Sequence, residues 1–391
     1  MLYFDSAATT QPYPEVALGM IDYLTKYYKN PAALYALDSV EAKAINEARE
    51  NVAKLIACDP NEIYFTSGGA EADNWAFKMA AFTYARRGKT IITTRAEHHA
   101  VTGTCEWLEK QGFHIVYLPV KHHVGTVDPI DLEKALQENP DTILVSIMTT
   151  NNETGGVNNI HDLCEITHKY HALFHTDAVQ AIHYELVSVA FTKVDMLSMS
   201  AHKFHGPKGV GALYIRNGIK LDPWLHGGSQ ERHKRGSTHN VPGIVGMGIA
   251  AEHLEKEKWT IVPQMRRQQI LLWQLIHDIC PTAWYVGEDR FDLSKNFSPA
   301  ILTVVFPDLP TTGNKLVEYM KDCDIACSTG SACNADTIDP SSVLMECGLT
   351  ADEALRAIRF SLTCHTEDWE LYEVASAIRA YYAAFDTPEK V

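Results

Sequence analysis

Short apolar and β-branched runs alternate with helix-length segments along the first part of the chain. The runs predict strands at 63–66, 90–94, 115–118, 143–148, 172–176, 194–199 and 210–215. Apolar residues recur at helical spacing over 36–57 and 71–87, and again near 245–258. Strands separated by helices predict an α/β fold, with a mostly parallel seven-stranded sheet covered by helices.

The pattern changes after about residue 260. A long helix is predicted over 261–279, and a closing helix over 366–385. Strands are predicted between them, at 300–306, 324–327 and 357–362. We therefore expect a large domain over 15–258 and a smaller α+β domain built from 1–14 and 259–391.

Composition narrows the class of protein. The 391 residues carry a net charge of −15, which argues against nucleic acid as a major partner. No apolar stretch approaches the roughly 20 residues that span a bilayer, and the first residues show no signal-peptide pattern. Nine irregularly spaced cysteines fit a reducing compartment. We expect a cytoplasmic protein.

Eighteen histidines raise the possibility of a metal site. They include the pairs His98–His99 and His122–His123 and a series at His161, His168, His171 and His175. None of these matches an HExxH helix or a CxxC pairing. Solvated or core histidines explain them better, and the sequence predicts no metal site.

Polar residues of the kinds that bind or react follow five of the predicted strands. Parallel sheets bind ligands beyond the carboxyl ends of their strands, so these residues are expected at one edge. Any one of them could form an ordinary turn, but five together are hard to explain in that way. The segments are Ser67–Glu71, Arg95–His99, Asn151–Gly155, Asp177–Gln180 and Ser200–Lys203.

Lys203 is the candidate reactive group, although a solvated loop lysine would explain it equally well on its own. Pyridoxal phosphate needs a lysine for a Schiff base and a carboxylate beside its ring nitrogen. It also needs donors for its phosphate and a flat side chain over its ring. Lys203, Asp177, the turn at 67–70 and His98 supply all four. Lys208 competes, but it follows Gly206-Pro207 and is expected beyond the strand end.

Two features of the second domain bear on the substrate. Arg359 is a cation in an apolar strand, where either a substrate carboxylate or a structural carboxylate would have to pair with it. Cys333 lies in a loop of small residues, STGSACN, where a thiol would be accessible. A loop cysteine alone indicates little. Cys327, six residues earlier, is interpreted as a bystander.

Motifs in order along almost the whole chain resemble those of the NifS-like cysteine desulfurases. These are fold-type-I pyridoxal-phosphate enzymes of the class-V aminotransferase superfamily. The motifs include YFDSAATT at 3–10, FTSGGAEADN at 65–74, RAEHHAV at 95–101, SIMTTNNETG at 146–155, HTDAVQ at 175–180, SAHKFHGPKGVGALY at 200–214, HGGSQERHKRGSTHNVPGIVGMG at 226–248, STGSACNA at 328–335 and IRFSL at 358–362.

The resemblance implies a role for each residue of the site. Lys203 would bind the cofactor aldehyde, Asp177 would pair with the ring nitrogen, and His98 would stack on the ring and assist proton transfers. Arg359 and Asn152 would bind the substrate carboxylate. The remaining contacts would be Gln180 and Asn152 to the phenolic oxygen, Gly69, Ala70, Ser200 and His202 to the phosphate, and Thr238 to the phosphate of a neighbouring subunit in a homodimer.

The implied reaction converts L-cysteine to L-alanine. Cys333 would take the sulfur as a persulfide and pass it to an acceptor protein of iron–sulfur cluster assembly or tRNA thiolation. The loop from Cys333 to Ser341 resembles that of the group with an extended active-site loop. Ala70 departs from the family, which commonly has a phosphate-binding threonine there.

Four rival interpretations remain, of which a metal-binding module based on the histidines is the weakest. A selenocysteine lyase or an aminotransferase could use the same scaffold, although an aminotransferase would not need Cys333. A non-catalytic sulfur-assembly scaffold could keep the fold without the activity.

Overall fold

The computed structural model describes residues 1–287, 297–329 and 339–385. Each of the ten strands predicted from the apolar runs is present within those residues, with bounds that differ by no more than two residues. The described strands are β1 (Leu2–Tyr3), β2 (Ile63–Thr66), β3 (Thr90–Thr94), β4 (His114–Leu118), β5 (Thr142–Ser146), β6 (Leu173–Asp177), β7 (Met196–Ser200), β8 (Gly211–Ile215), β9 (Trp284–Tyr285), β10 (Ile301–Val305), β11 (Ile325–Ala326) and β12 (Ala357–Ser361).

Seven of these strands form one sheet in the order β2-β8-β7-β6-β5-β3-β4. Six of them share one direction, and β8 runs opposite to its neighbours β2 and β7. The predicted mostly parallel sheet of seven strands is confirmed. Because β2, β3, β5, β6 and β7 are parallel, the segments that follow them emerge at the same edge.

Helices cover both faces of this sheet. The described helices are α1 (Pro14–Thr25), α2 (Val40–Leu55), α3 (Gly69–Tyr84), α4 (His99–Lys110), α5 (Pro129–Glu138), α6 (Ile160–Lys169), α7 (Val189–Thr192), α8 (Gln230–His233), α9 (Val241–Ile279), α10 (Gly313–Asp322), α11 (Ser342–Glu346), α12 (Ala351–Leu355) and α13 (Asp368–Phe385). The helices predicted over 36–57, 71–87 and 366–385 are present as α2, α3 and α13. None of the described helices is long and apolar enough to cross a membrane.

The alternation of side chains along the strands divides the core into two layers. Ile92 and Val145 pack on one face of the sheet, against α2, α5, α6 and α9. Their neighbours in sequence, Ile91 and Leu144, pack on the other face, against α3 and α4. Successive residues of a strand point to opposite faces, so a strand buried on both sides is apolar throughout. This explains the continuous apolar runs of the sequence.

One expectation about the helices was wrong. The segments 245–258 and 261–279 are parts of a single helix, α9, which continues through Pro263. A proline removes one helical hydrogen bond, but the residues on either side of it are held by packing. Residues up to Ile261 pack in the core of the large sheet, and residues from Met265 onward pack in a second core. The burial of side chains on both sides of Pro263 outweighs the loss of that hydrogen bond, so the helix continues where the sequence predicted two separate helices.

The second core lies around two small sheets. An antiparallel sheet has the order β12-β10-β9, and β1 pairs in parallel with β11. Phe4 is fully buried in this core, and Asp5 forms a β-bridge with Ser361. The N-terminal residues therefore pack with the C-terminal part, as the division at 14 and 258 expects. That division itself stays a prediction.

Candidate active site

Lys203 ends a single 3₁₀ turn, Ala201–Lys203, which directly follows β7. Its amine donates hydrogen bonds to the backbone carbonyls of Ala7 (2.5 Å) and Ala8 (2.9 Å). Burial and the positive charge of Arg359 lower the pKa of the amine to about 8, although the negative charge of Asp177 opposes this. Roughly one amine in ten is then unprotonated at pH 7, far more than for a free lysine. Lys203 is therefore a half-buried amine whose unprotonated, nucleophilic form is accessible near neutral pH.

Asp177 is the last residue of β6, the strand beside β7. Its carboxylate is buried, and its Oδ1 accepts a hydrogen bond from the Val179 N–H at 2.8 Å. Burial raises the pKa of this carboxyl, and the charges of the protonated form of His98 and of Lys203 act against that rise. The site thus holds one carboxylate at a position where a bound cation would stabilise its ionised form.

A buried pair, Asp73 and His175, lies behind Asp177. His175 Nε2 is 3.7 Å from Asp73 Oδ1 and 2.9 Å from Ser198 Oγ. Burial lowers the pKa of His175 to about 3, and burial together with the charge of Asp177 raises the pKa of Asp73 well above its usual value. Burial therefore favours the uncharged form of both groups.

His98 caps the N-terminus of α4, with its Nδ1 accepting from the Ala100 N–H at 3.1 Å. The side chain of His98 is exposed. Its desolvated surroundings lower the pKa of the imidazole, and Lys203 lowers it further while Asp177 opposes. His98 is accordingly a neutral base at pH 7, within electrostatic reach of both Asp177 and Lys203.

The N-terminus of α3 lies at the same edge of the sheet. A Cβ on Gly69 would lie 2.7 Å from Val179 Cγ2, so only glycine allows this close approach to the loop that follows Asp177. Backbone N–H groups at a helix N-terminus favour a bound phosphate. Ala70 is exposed there and carries no hydroxyl, whereas Ser200 is buried nearby at the end of β7. His202 is half-buried, and its Nδ1 lies 3.2 Å from Thr9 Oγ1.

Arg359 lies in β12 and is 6% exposed. Its guanidinium donates to Asp5 Oδ1 at 2.8 Å and to the carbonyl oxygen of Asn152 at 3.0 Å. Its Nε is buried and has no hydrogen-bond partner. The structural carboxylate that the sequence left open is therefore present as Asp5. The unsatisfied Nε leaves capacity for another acceptor.

Three predicted residues remain. Gln180 is buried and donates through Nε2 to the Ala7 carbonyl at 2.7 Å, so it shares that acceptor with Lys203. Thr238 is exposed and lines a cleft with Ser67 and Gly209 of its own chain. Cys333, with the extended loop that the resemblance implies, lies outside the described residues.

The sequence did not single out several residues of this site. Asp5 and the carbonyls of Ala7 and Ala8 reach it from the N-terminus, more than 190 residues from Lys203. The motif DSAA at 5–8 was visible, but its position in space was not. Asp73 and His175 come from α3 and β6, and no local spacing connects them.

The chain is similar to known proteins over most of its length. The aminotransferase class-V family matches residues 2–374. The chain belongs to this family. A cysteine desulfurase IscS of Methanosarcina thermophila is 43% identical to this class-V protein over 363 residues, which cover 92% of this chain and 87% of the relative. A cysteine desulfurase IscS of Clostridium botulinum is 42% identical over 366 residues, covering 92% and 89%.

Solved structures agree with this assignment. A NifS-like protein superposes with a TM-score of 0.89 at 36% identity, covering 98% of this chain and 99% of that one. A structure described as SspA in complex with cysteine superposes with a TM-score of 0.80 at 33% identity, covering 94% and 100%. Within the class-V family the chain groups with the cysteine desulfurases, and it has the fold-type-I architecture.

The residues present fit the family's cofactor, pyridoxal phosphate. The helix N-terminus at Gly69 would accept its phosphate, Asp177 would supply the carboxylate for its ring nitrogen, and Lys203 offers an amine with a lowered pKa. His98 is exposed to the cleft between them. The four features that the sequence brought together are at one edge of the sheet.

Proposed function

We propose that this protein is a cysteine desulfurase that converts L-cysteine to L-alanine and transfers the sulfur to Cys333 as a persulfide. The observation that carries the proposal is the position of Lys203 at the edge of the sheet, close to Asp177 and Arg359. The charges of these two residues shift the pKa of the lysine amine. Relatives named as cysteine desulfurases and a similar protein described in complex with cysteine support it.

Bound pyridoxal phosphate supplies an aldehyde that reacts with amines and a ring that accepts negative charge from the substrate's α-carbon. Lys203 would hold that aldehyde, and its lowered pKa favours the free amine that attachment requires. Asp177 would pair with the ring nitrogen. The positive ring nitrogen would favour the ionised form of this buried carboxyl.

His98 would act on protons. An imidazole whose pKa lies below 6.5 is unprotonated at pH 7 and can accept a proton from the substrate thiol or amine. Its backbone position at the start of α4 and its hydrogen bond from Ala100 orient the ring. The same ring would cover the cofactor.

Arg359 would bind the substrate carboxylate, with Asn152 beside it. The guanidinium is already paired with Asp5, so the substrate has to share or displace that carboxylate. The unpartnered Nε gives it one donor that Asp5 does not use.

Cys333 lies outside the described residues, and its role rests on the sequence motif. In the proposed step the thiolate forms an S–S bond with the sulfur of cysteine while the C–S bond breaks. The electron pair of that bond stays on carbon, which takes up a proton to give alanine. The persulfide then passes its terminal sulfur to an acceptor of iron–sulfur cluster assembly or tRNA thiolation.

The test compares Cys333→Ala with wild type and with Cys327→Ala as a matched control. Burial raises the pKa of Cys327 to about 12, so this thiol is unreactive and its removal should leave activity intact. Alanine and enzyme-bound sulfane sulfur released from L-cysteine are measured, and the cofactor absorbance is followed. We expect Cys333→Ala to keep the absorbance and to lose both products.

A Cys333→Ala enzyme as active as wild type would overturn the nucleophile assignment. Assays with selenocysteine and with an amino-group acceptor would then distinguish the lyase and the aminotransferase. A wild-type protein that binds the cofactor but releases no alanine would favour the non-catalytic scaffold.

The homodimer is also part of this proposal, together with the contact of Thr238 to the partner's cofactor phosphate. It is supported by a run of exposed apolar side chains on α1 and the segment after it, which a second copy would cover. These are Leu18, Ile21, Leu24, Tyr28, Leu34, Tyr35 and Leu37. Sedimentation analysis of wild type and Leu24→Glu/Tyr28→Glu tests this.

We further propose a cytoplasmic location. Eight cysteines within the described residues are free thiols, which fits a reducing compartment.

A further inference from the structure

A cluster of His183, His205 and Cys364 lies outside the proposed active site. One ligand atom from each residue lies within 4.8 Å of the others. Both histidines are buried, with 1% and 0% of their surface exposed, and Cys364 is half-buried. The three residues follow β6, β7 and β12, so no sequence spacing indicates the cluster. We propose that it binds one first-row transition-metal ion of the Zn²⁺ type.

The hydrogen bonding of His205 leaves a nitrogen free for a metal. Its Nδ1 is 2.7 Å from the carbonyl oxygen of Gln11, and a carbonyl can only accept, so Nδ1 carries the proton. The lone pair of Nε2 then faces Cys364. Metal-bound histidines commonly donate their second nitrogen to a backbone carbonyl in this way.

His183 has the same character. Neither of its ring nitrogens makes a hydrogen bond of good geometry, although both are buried. The backbone of Lys203 is close enough to form a weak hydrogen bond with the ring. Burying an imidazole without a well-formed hydrogen bond costs free energy. Coordination of a metal ion by a ring nitrogen would offset that cost. Burial also keeps both imidazoles neutral, which is the form that binds metals.

The distance between His205 and Cys364 agrees with a shared ion. Sγ of Cys364 is 3.5 Å from Nε2 of His205. Zinc bonds of about 2.3 Å to sulfur and about 2.05 Å to nitrogen at a tetrahedral angle place those atoms about 3.6 Å apart. Binding would release the thiol proton to solvent and leave a thiolate ligand. The Tyr13 hydroxyl, 4.0 Å from the sulfur, or a water molecule would complete the set.

The ion would have a structural consequence. The segments that hold its ligands also carry Gln180, Lys203 and Arg359. His205 follows Lys203 by two residues, and its backbone N–H donates a hydrogen bond to Thr10 Oγ1 at 2.7 Å. A metal would therefore tie β12 to the edge of the large sheet and hold the site residues in place.

The experiment uses holoenzyme that has been treated with a chelator and dialysed. Zn²⁺ is added, and bound zinc is measured by equilibrium dialysis with mass-spectrometric metal analysis. X-ray absorption then counts the sulfur ligands. We expect one ion per chain with one sulfur and two imidazoles, and a higher thermal midpoint with zinc than without it. Replacing a ligand, in Cys364→Ser or His183→Asn, should weaken binding at least about tenfold.

Two control variants separate this site from other thiols. Cys333→Ala and Cys347→Ser should bind zinc as wild type does. The proposal is overturned if zinc does not bind at one ion per chain or binds without a sulfur ligand. Loss of binding in Cys333→Ala with retention in Cys364→Ser would assign the ion to the catalytic thiol instead. Because binding is read without an activity assay, this result does not depend on the proposed function.

Discussion

Replacement of Glu231 by glutamine is expected to destabilise the protein through a buried ion pair. Glu231 and Arg49 form a bidentate ion pair, with two hydrogen bonds of 2.7 and 2.9 Å between guanidinium and carboxylate. Their side chains are 2% and 9% exposed. The same carboxylate accepts from the Phe65 N–H and lies 3.0 Å from His239 Nε2. This pair joins α8, where Glu231 has a φ of 44°, to α2 and β2. A glutamine would leave the Arg49 cation buried without its anion.

The magnitude follows from the pKa of the carboxyl. Burial alone would raise this pKa, but the hydrogen bonds from His239 and Arg49 outweigh burial and lower it from 4.5 to about 2. At about 1.4 kcal/mol per pH unit, the ionised form contributes about 3 kcal/mol to stability. Removing one partner of a buried pair typically costs about 3–5 kcal/mol, in agreement. Because the pKa is depressed in the folded state, the contribution is complete above about pH 4.5 and is lost as the pH falls toward 2.

The assay is urea unfolding of the holoenzyme, followed by circular dichroism at pH 7 and at pH 4. Asp368→Asn is the matched control, since Arg267 and Asp368 form a bidentate ion pair of the same kind at the surface. We expect Glu231→Gln to lower the midpoint clearly and Asp368→Asn to change it little, because water screens the exposed pair. Equal effects of the two variants would refute the reasoning. A Glu231→Gln effect that did not shrink at lower pH would contradict the assigned ionisation.

Two further predictions concern the active site. Gly69→Ala should raise the dissociation constant of pyridoxal phosphate about tenfold or more, because the new Cβ would lie 2.7 Å from Val179 Cγ2 and the N-terminus of α3 would have to move. Fluorescence titration of the apoenzyme measures this, and unchanged affinity would show that the helix end does not hold the phosphate. Arg359→Lys should raise KM for L-cysteine about tenfold or more with a smaller change in kcat, because lysine lacks the planar fork that binds a carboxylate. Steady-state kinetics would exclude the carboxylate role if KM stayed constant.

The sequence by itself determined ten of the strands and the sheet edge at which the polar segments meet. Strand runs and the polar residues after them are local patterns, and a parallel sheet brings such residues together whatever the rest of the fold is. The location of Lys203, Asp177, His98 and the turn at Gly69 at one edge of the sheet was therefore predictable. The resemblance to the cysteine desulfurases added proposed roles for residues that no local sequence pattern indicates.

Only the tertiary structure decided which distant residues complete the site. Asp5 pairs with Arg359 across 354 positions, and Lys203 donates to Ala7 across 196. The continuity of α9 through Pro263 depends on packing in two cores, which local propensity does not register. His183, His205 and Cys364 meet for the same reason, because contacts across hundreds of residues are set by how the elements pack and leave no spacing in the chain.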